Sequence, residues 1–270
     1  MAKNVPLDKI LVQGTVYTTD DREAWIIKKV GTNSSSIGYI KIDEKPTTQL
    51  SSVVSALHKT SSSFLDLLDL GADYNVVPPN TKIEWVGDSG SKLRVKGIKV
   101  QLDAQEKLDA TYMDRFSKQT LEYIVVVENS YSQGTGTAWA DGLEKEVVSL
   151  TPKTIEKYVF DNLLMASIAN VSGGVAEGDW VLRIYYENAP DEFVYGTNIK
   201  HGIDILSLPR PPANTTEDVP FTLGDFPKVV EGDHTLSLRV ANVSGASKSP
   251  TSGNSIIVTV TAVARYIKSA

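Results

Sequence analysis

"TKIEWVGDSGSKLRVKGIKVQLD", residues 81–103, decides how the chain is read. Two runs of alternating apolar and polar residues flank Gly87, Asp88, Ser89, Gly90 and Ser91. Alternation with period two argues for strands. Turn-forming residues between them argue for a β-hairpin loop, where glycine supplies positive φ. The second run changes phase: Leu93 and Val95 are apolar at odd positions, Ile98, Val100 and Leu102 at even ones. The switch falls at Gly97, and the pattern predicts a β-bulge there. Before it, Lys92, Arg94 and Lys96 share one face.

The same texture extends in both directions. Upstream lie "KILVQGTVYT" (9–18), "EAWIIKKV" (23–30) and "IGYIKID" (37–43), rich in Val, Ile, Thr and Tyr. Downstream, strand candidates cover 121–128, 135–141, 145–150, 156–172, 179–187, 202–208, 219–223, 234–243 and 255–267. Turn signals recur every 8–15 residues there, the spacing of a sandwich or barrel. Two stretches have helical spacing. Leu50, Val53, Val54 and Leu57 fall at i, i+3, i+4, i+7. Over 103–119, Asp103 and Glu106 form a capping-box-like pair ahead of the stripe Leu108, Tyr112, Phe116. We therefore expect a mainly β protein of two β-sandwich units. A first domain with one or two short helices spans 1–119, and a jelly-roll domain spans 120–270. "EGD" precedes strands at 177–179 and 231–233, which reads as one turn type used twice.

Composition bounds the chemistry. The 270 residues contain no cysteine, which removes disulfides, zinc-thiolate sites, iron–sulfur clusters and thiol catalysis. Three histidines, His58, His201 and His234, lie far apart, so a histidine metal cage is not expected, nor any cofactor. The N-terminus "MAKNVPLDKILVQG" lacks the apolar segment of an export signal, and no run is long enough for a transmembrane helix. Residues 1–119 carry 16 Lys+Arg and 15 Asp+Glu, a net of +1; residues 120–270 carry 11 and 18, a net of −7. An acidic second half repels phosphates, so nucleic acid is not an expected partner.

Gly87-Asp88-Ser89-Gly90 also matches the nucleophile loop of chymotrypsin-like proteases. That reading needs a histidine base, an orienting carboxylate and an oxyanion hole. The only upstream histidine, His58, is in "SALHKT", on a predicted helix. Ser89 is therefore read as a turn residue. The acidic loops "ADGLEKE" (140–146) and "ENAPDEF" (187–193) are candidates for paired catalytic carboxylates or Ca²⁺. Trp139 follows the loop "SQGTGTA" and is expected to be exposed, a candidate contact for a host-surface glycan. Sequons stand at Asn33, Asn170, Asn214 and Asn242; without a leader they are not expected to carry sugar. Lys92, Arg94 and Lys96 offer an electrostatic seat for an acidic partner, such as the second half of another copy.

Two successive β-rich units without catalytic residues resemble the tandem jelly-roll structural proteins of icosahedral viruses. The resemblance is in particular to the coat and vertex-turret proteins of viruses of thermophilic archaea. "EGDHTLSLRVANVSG" (231–245) and "NSIIVTVTAVARYI" (254–267) carry the resemblance. It implies a non-enzymatic protein that assembles with itself or with sister virion proteins, built in the host cytoplasm. The low methionine count, three, and the absence of cysteine suit a hot habitat. The alternative is a surface binding module, an adhesin or carbohydrate-binding jelly roll.

Overall fold

The computed structural model describes residues 2–55, 67–160, 164–190, 202–208 and 228–269. The chain packs as two compact units, one of Met1–Val126 with the C-terminal Arg265–Ala270, the other lying within Val127–Ala264.

In the first unit, alternating runs become β1 (Lys3–Val12), β2 (Val16–Thr18), β3 (Glu23–Thr32), β4 (Gly38–Ile42) and β5 (Lys45–Leu50). A helical turn, α1 (Ser52–Ser55), precedes β6 (Leu68–Asp69), β7 (Asn75–Val77), β8 (Lys82–Val86) and β9 (Lys92–Gln101). One antiparallel sheet has the order β1-β9-β3-β6, with β7 also on β3; the other is β2-β8-β4-β5. Counting β6 and β7 as one strand, the orders are 1-8-3-6 and 2-7-4-5. Successive strands cross between facing sheets, which is the winding of a jelly roll.

The second unit repeats that winding. Its strands are β10 (Glu122–Ser132), which starts before the boundary, β11 (Glu144–Leu150), β12 (Glu156–Phe160), β13 (Leu164–Ala169) and β14 (Trp180–Tyr186). β15 (Ala189–Pro190), β16 (Ile203–Asp204), β17 (Lys228–Val230), β18 (Leu236–Asn242) and β19 (Ile257–Lys268) complete it. The sheets run β10-β19-β12-β17, with β13 also on β19, and β11-β18-β14-β15, with β16 also on β14. Counting β12 with β13 and β15 with β16 as single strands, the orders are again 1-8-3-6 and 2-7-4-5. The expected jelly roll in the second half is present, and the first half, expected only as a sandwich with helices, has the same strand order.

The phase change in β9 has a different origin from the one expected. β9 pairs β1 in unbroken register from Lys3↔Gln101 to Val12↔Lys92. The extra residue is Lys28 on β3, where the register shifts between Ile27 and Lys29, opposite Gly97. Ile98, Val100 and Leu102 stay on the same face as Lys92, Arg94 and Lys96, but their end of that face is covered. α2 (Ala110–Lys118) lies over it, and Leu108, Tyr112 and Phe116 pack with Ala24, Ile26, Val76 and Val100. Full burial of a side chain such as Leu108 contributes roughly 1.5–3 kcal/mol.

The α2 cap is Asp109, whose carboxylate accepts the Thr111 N–H at 2.8 Å. The Asp103–Glu106 pair exists, Glu106 accepting the Asp103 N–H at 3.1 Å, but it closes a turn ahead of the helix. Buried Arg115 ties α2 down by donating to the carbonyls of Tyr74 (2.8 Å) and Glu122 (2.7 Å). The first predicted helix shrinks to α1, because Leu50 ends β5; Leu57 and His58 lie outside the described residues. His201, Asn214 and the strand candidate 219–223 lie outside them too.

Candidate assembly surface

The basic stripe stands on the outer face of β9, beside the edge strand β1. Register places Asp8 opposite Lys96 and Ile10 opposite Arg94. The Asp8 carboxylate accepts both forks of Arg94, Nε at 2.8 Å and Nη2 at 2.6 Å, and lies 3.8 Å from Lys96 Nζ. The Arg94 hydrogen bond holds the Asp8 carboxyl below the usual carboxylate range. The stripe is thus partly neutralised rather than a wholly free cationic surface: one carboxylate serves Arg94 and Lys96. Among the described residues, Lys92 alone of the three makes no ion pair. Reversing all three to glutamate would set two carboxylates beside Asp8, so that change is expected to cost stability as well as to alter the surface charge.

The loop after β8 is a turn, but not the hairpin the sequence suggests: β8 and β9 belong to different sheets and do not pair, so residues 87–91 are the corner where the chain crosses from one sheet to the other. Gly90 has φ +75° and Ser89 is exposed. The active member of the loop is Asp88, whose carboxylate accepts the Ser35 hydroxyl (2.7 Å) and the Ser36 N–H (2.9 Å). These bonds, the Ser36 N–H first, push the Asp88 carboxyl far below its usual range. The contribution of this latch is complete above the ordinary carboxylate pKa and is lost as pH falls beneath it. Trp85 anchors the loop, its indole donating to Ser91 Oγ at 2.9 Å. Ser89→Ala is expected to leave stability within about 0.5 kcal/mol, as for most surface changes. Labelling of Ser89 by a fluorophosphonate would contradict the turn reading.

Trp139 is not a glycan platform. It is fully buried, with its indole N–H donating to the Leu143 carbonyl at 2.8 Å. Its ring meets Trp180 edge-on at 5.1 Å and Tyr131 at 5.5 Å. The segment 135–141 is not a strand; Trp139 makes only an isolated bridge to Lys248, so alternation gave no warning of burial. Trp25, Trp85 and Trp180 are buried as well.

The described carboxylates of the acidic loops are engaged in structure; residues 191–193 of the second loop lie outside the described residues. Glu144 pairs with Arg183 (2.7 Å) and Arg239 (3.7 Å) and accepts the Tyr185 hydroxyl (3.1 Å). Burial, then Glu144, pushes the Tyr185 phenol up. Asp141 accepts the Gly245 N–H, and Glu187 accepts the Thr235 N–H. Among the described residues, no three His, Asp or Glu side chains converge as a metal-holding set. No helix among them is long and apolar enough to cross a membrane. The sequon at Asn242 is in the core, where its amide donates to the carbonyls of Trp139 and Ala246. The two "EGD" triplets make different turns. Gly178 takes φ +77° in the first, Asp233 takes φ +65° in the second, and a Cβ on Gly232 would meet the Thr154 carbonyl at 2.5 Å.

No protein-family model matches the chain, and no curated protein matches its sequence. Among solved structures it is similar to A223, a turret protein in Sulfolobus turreted icosahedral virus. Identity there is 11%, with 97% of this chain and 98% of that one covered, and a TM-score of 0.21. The PBCV-1 virus capsid gives 10% identity, coverage of 99% and 94%, and a TM-score of 0.27. The plant receptor-like kinase ANX2 gives 9%, coverage of 95% and 82%, and 0.29. Each is a weak, fold-level likeness.

Proposed function

We propose that the protein is a non-enzymatic structural subunit that works by assembling with copies of itself or with sister proteins, as a capsid or turret component of a virion. The observation that carries this reading is the repeated jelly-roll order, 1-8-3-6 against 2-7-4-5, in two successive units of one chain. The groups with chemistry point the same way. Asp88 latches a loop, Glu144 holds two arginines, and Trp139 fills the second core. Among the described residues the surface carries rows of charge and scattered apolar side chains such as Ile10 and Val229. Charge sets register and encounter rate between partners, while affinity comes from apolar contact.

The test is sedimentation of the purified chain over a wide concentration range, with negative-stain imaging of the heavy fractions. Species larger than the monomer are expected. Raising salt from about 0.05 to 0.5 M should weaken association without abolishing it, because the Debye length falls below about 5 Å. A strictly monomeric chain at high concentration, with sister proteins present, would sink the assembly reading.

A further inference from the structure

Several sheet edges of this fold are short or plugged. The Gln119 side chain pairs both backbone groups of Val76 on β7, at 2.8 and 3.0 Å. On β10, Gln49 takes the Val126 N–H and Asn129 takes the Ser130 N–H. β1 is different. It is ten residues long, stands at the end of its sheet and pairs only with β9.

Its backbone parity can be read directly. Gln13 N–H donates to Ser91 O at 3.0 Å, so odd residues of β1 turn their main-chain groups toward β9. Even residues turn theirs toward the open edge. There the Val12 N–H is taken by the Tyr17 hydroxyl at 3.3 Å, and Pro6 has no N–H to offer. The N–H groups of Asn4, Asp8 and Ile10 have no partner among the described residues, nor do the carbonyls of Asn4, Pro6, Asp8 and Ile10. Ile10 is also an exposed large apolar side chain, at 46%.

We infer that the open edge of β1 is an interface with β1 of a second copy of this chain, paired antiparallel about a twofold axis at Leu7. The argument is one of register, and it rests on the assembly reading above. A symmetric pairing centred on Lys9 sets Lys9 against Lys9. One centred on Asp8 sets Asp8 against Asp8, and like charges directly opposite are unfavourable. Centring on Pro6 wastes two donors at the dyad and opposes Lys3 to Lys9. Centring on Ile10 runs into the Tyr17 hydroxyl at Val12. Centring on Leu7 opposes Asn4 to Ile10, Pro6 to Asp8, Val5 to Lys9, and Leu7 to itself. That register sets no like charges directly opposite and uses every open N–H group, forming about six main-chain hydrogen bonds; only the Asp8 carbonyl, facing Pro6, is left to water. Proline and lysine on an edge strand ordinarily block promiscuous pairing. Here they disfavour the registers centred on Pro6 and Lys9, as Asp8 and Tyr17 disfavour two others, which is how repulsive elements give specificity.

The experiment uses the full chain with three single variants. Ile10→Pro removes a donor that faces the open edge, as Pro6 already does, and leaves the ladder to β9 intact; circular dichroism and melting check this. Dimerisation measured by sedimentation should weaken at least about tenfold, two symmetry-related bonds being lost. Val5→Cys and Lys9→Cys exploit the absence of native cysteine. In the inferred register residues 5 and 9 of two copies face each other with Cα atoms about 4.5 Å apart, within disulfide reach. Mixed and mildly oxidised, the two variants should cross-link to each other, and neither should link to itself. If Lys9→Cys links to itself instead, the register is overturned. If wild type assembles and Ile10→Pro assembles equally well with no cross-link, the β1 interface is overturned while the assembly reading stands. A strictly monomeric wild type overturns the interface outright.

Discussion

Replacing Trp139 with alanine is expected to destabilise the second unit by about 3–5 kcal/mol, the range for a large aromatic deleted from a core. The side chain is fully buried between Trp180 and Tyr131, both edge-on, so truncation leaves a cavity lined by rigid rings that collapse poorly. The loss of the indole bond to the Leu143 carbonyl adds roughly 1 kcal/mol. Neighbouring backbone is coupled to the same spot, since Asn242 donates to the Trp139 carbonyl at 3.0 Å. Trp139→Phe keeps most of the volume and should cost roughly half as much. Denaturant unfolding followed by near-ultraviolet circular dichroism measures both. A Trp139→Ala protein of wild-type stability that has lost binding to a glycan array would restore the carbohydrate-binding alternative and remove the core assignment.

How far the sequence carries can be judged from the same residues. The long strands were legible because apolar residues recur at alternate positions: Leu236, Leu238 and Val240 are buried on β18, although its other face is not in water either, Ser237 and Ala241 being buried and Arg239 half-buried. The tandem winding was not. β2, β6, β7, β15, β16 and β17 have two or three residues each, too few for any period to register, yet they complete the strand order of both units. Trp139 looked exposed because glycines and threonines precede it, and loop composition says nothing about what packs over a loop. For the basic stripe, the shared face of Lys92, Arg94 and Lys96 could be read, since parity is local. Its partial neutralisation could not, because Asp8 is 86 residues from Arg94 in sequence and becomes its neighbour only through the pairing of β1 with β9. The open edge of β1 has a local trace, Pro6 within a strand, since proline is confined to edges and bulges.

Gly97→Ala is expected to be among the most damaging single-methyl additions in the chain. A Cβ at this position would lie 1.9 Å from the Ile26 carbonyl oxygen and 3.0 Å from the Lys28 nitrogen, and both are backbone atoms that no rotamer change can move. The cause is the bulge on β3. The extra residue, Lys28, is re-aimed so that its ammonium sits 3.5 Å from the centre of the Tyr74 ring. Accommodating the methyl means prising β3 from β9 at the centre of the sheet, next to Ile26 and Val95, both fully buried. A cost of about 3 kcal/mol or more follows, at the upper end for overpacking, and Gly97→Val should cost more still. In a melting experiment this corresponds to a fall of roughly 6–12 °C in the transition of the first unit. Gly90→Ala is the control. A Cβ there meets nothing within 4 Å, but the residue has φ +75°, so only the left-handed penalty of roughly 1–2 kcal/mol applies. The ordering of the two variants is the decisive quantity. If Gly97→Ala melts with wild type, or no lower than Gly90→Ala, the close approach of β3 to β9 is wrong, and with it the account of why β9 changes from a charged face to an apolar one halfway along its length.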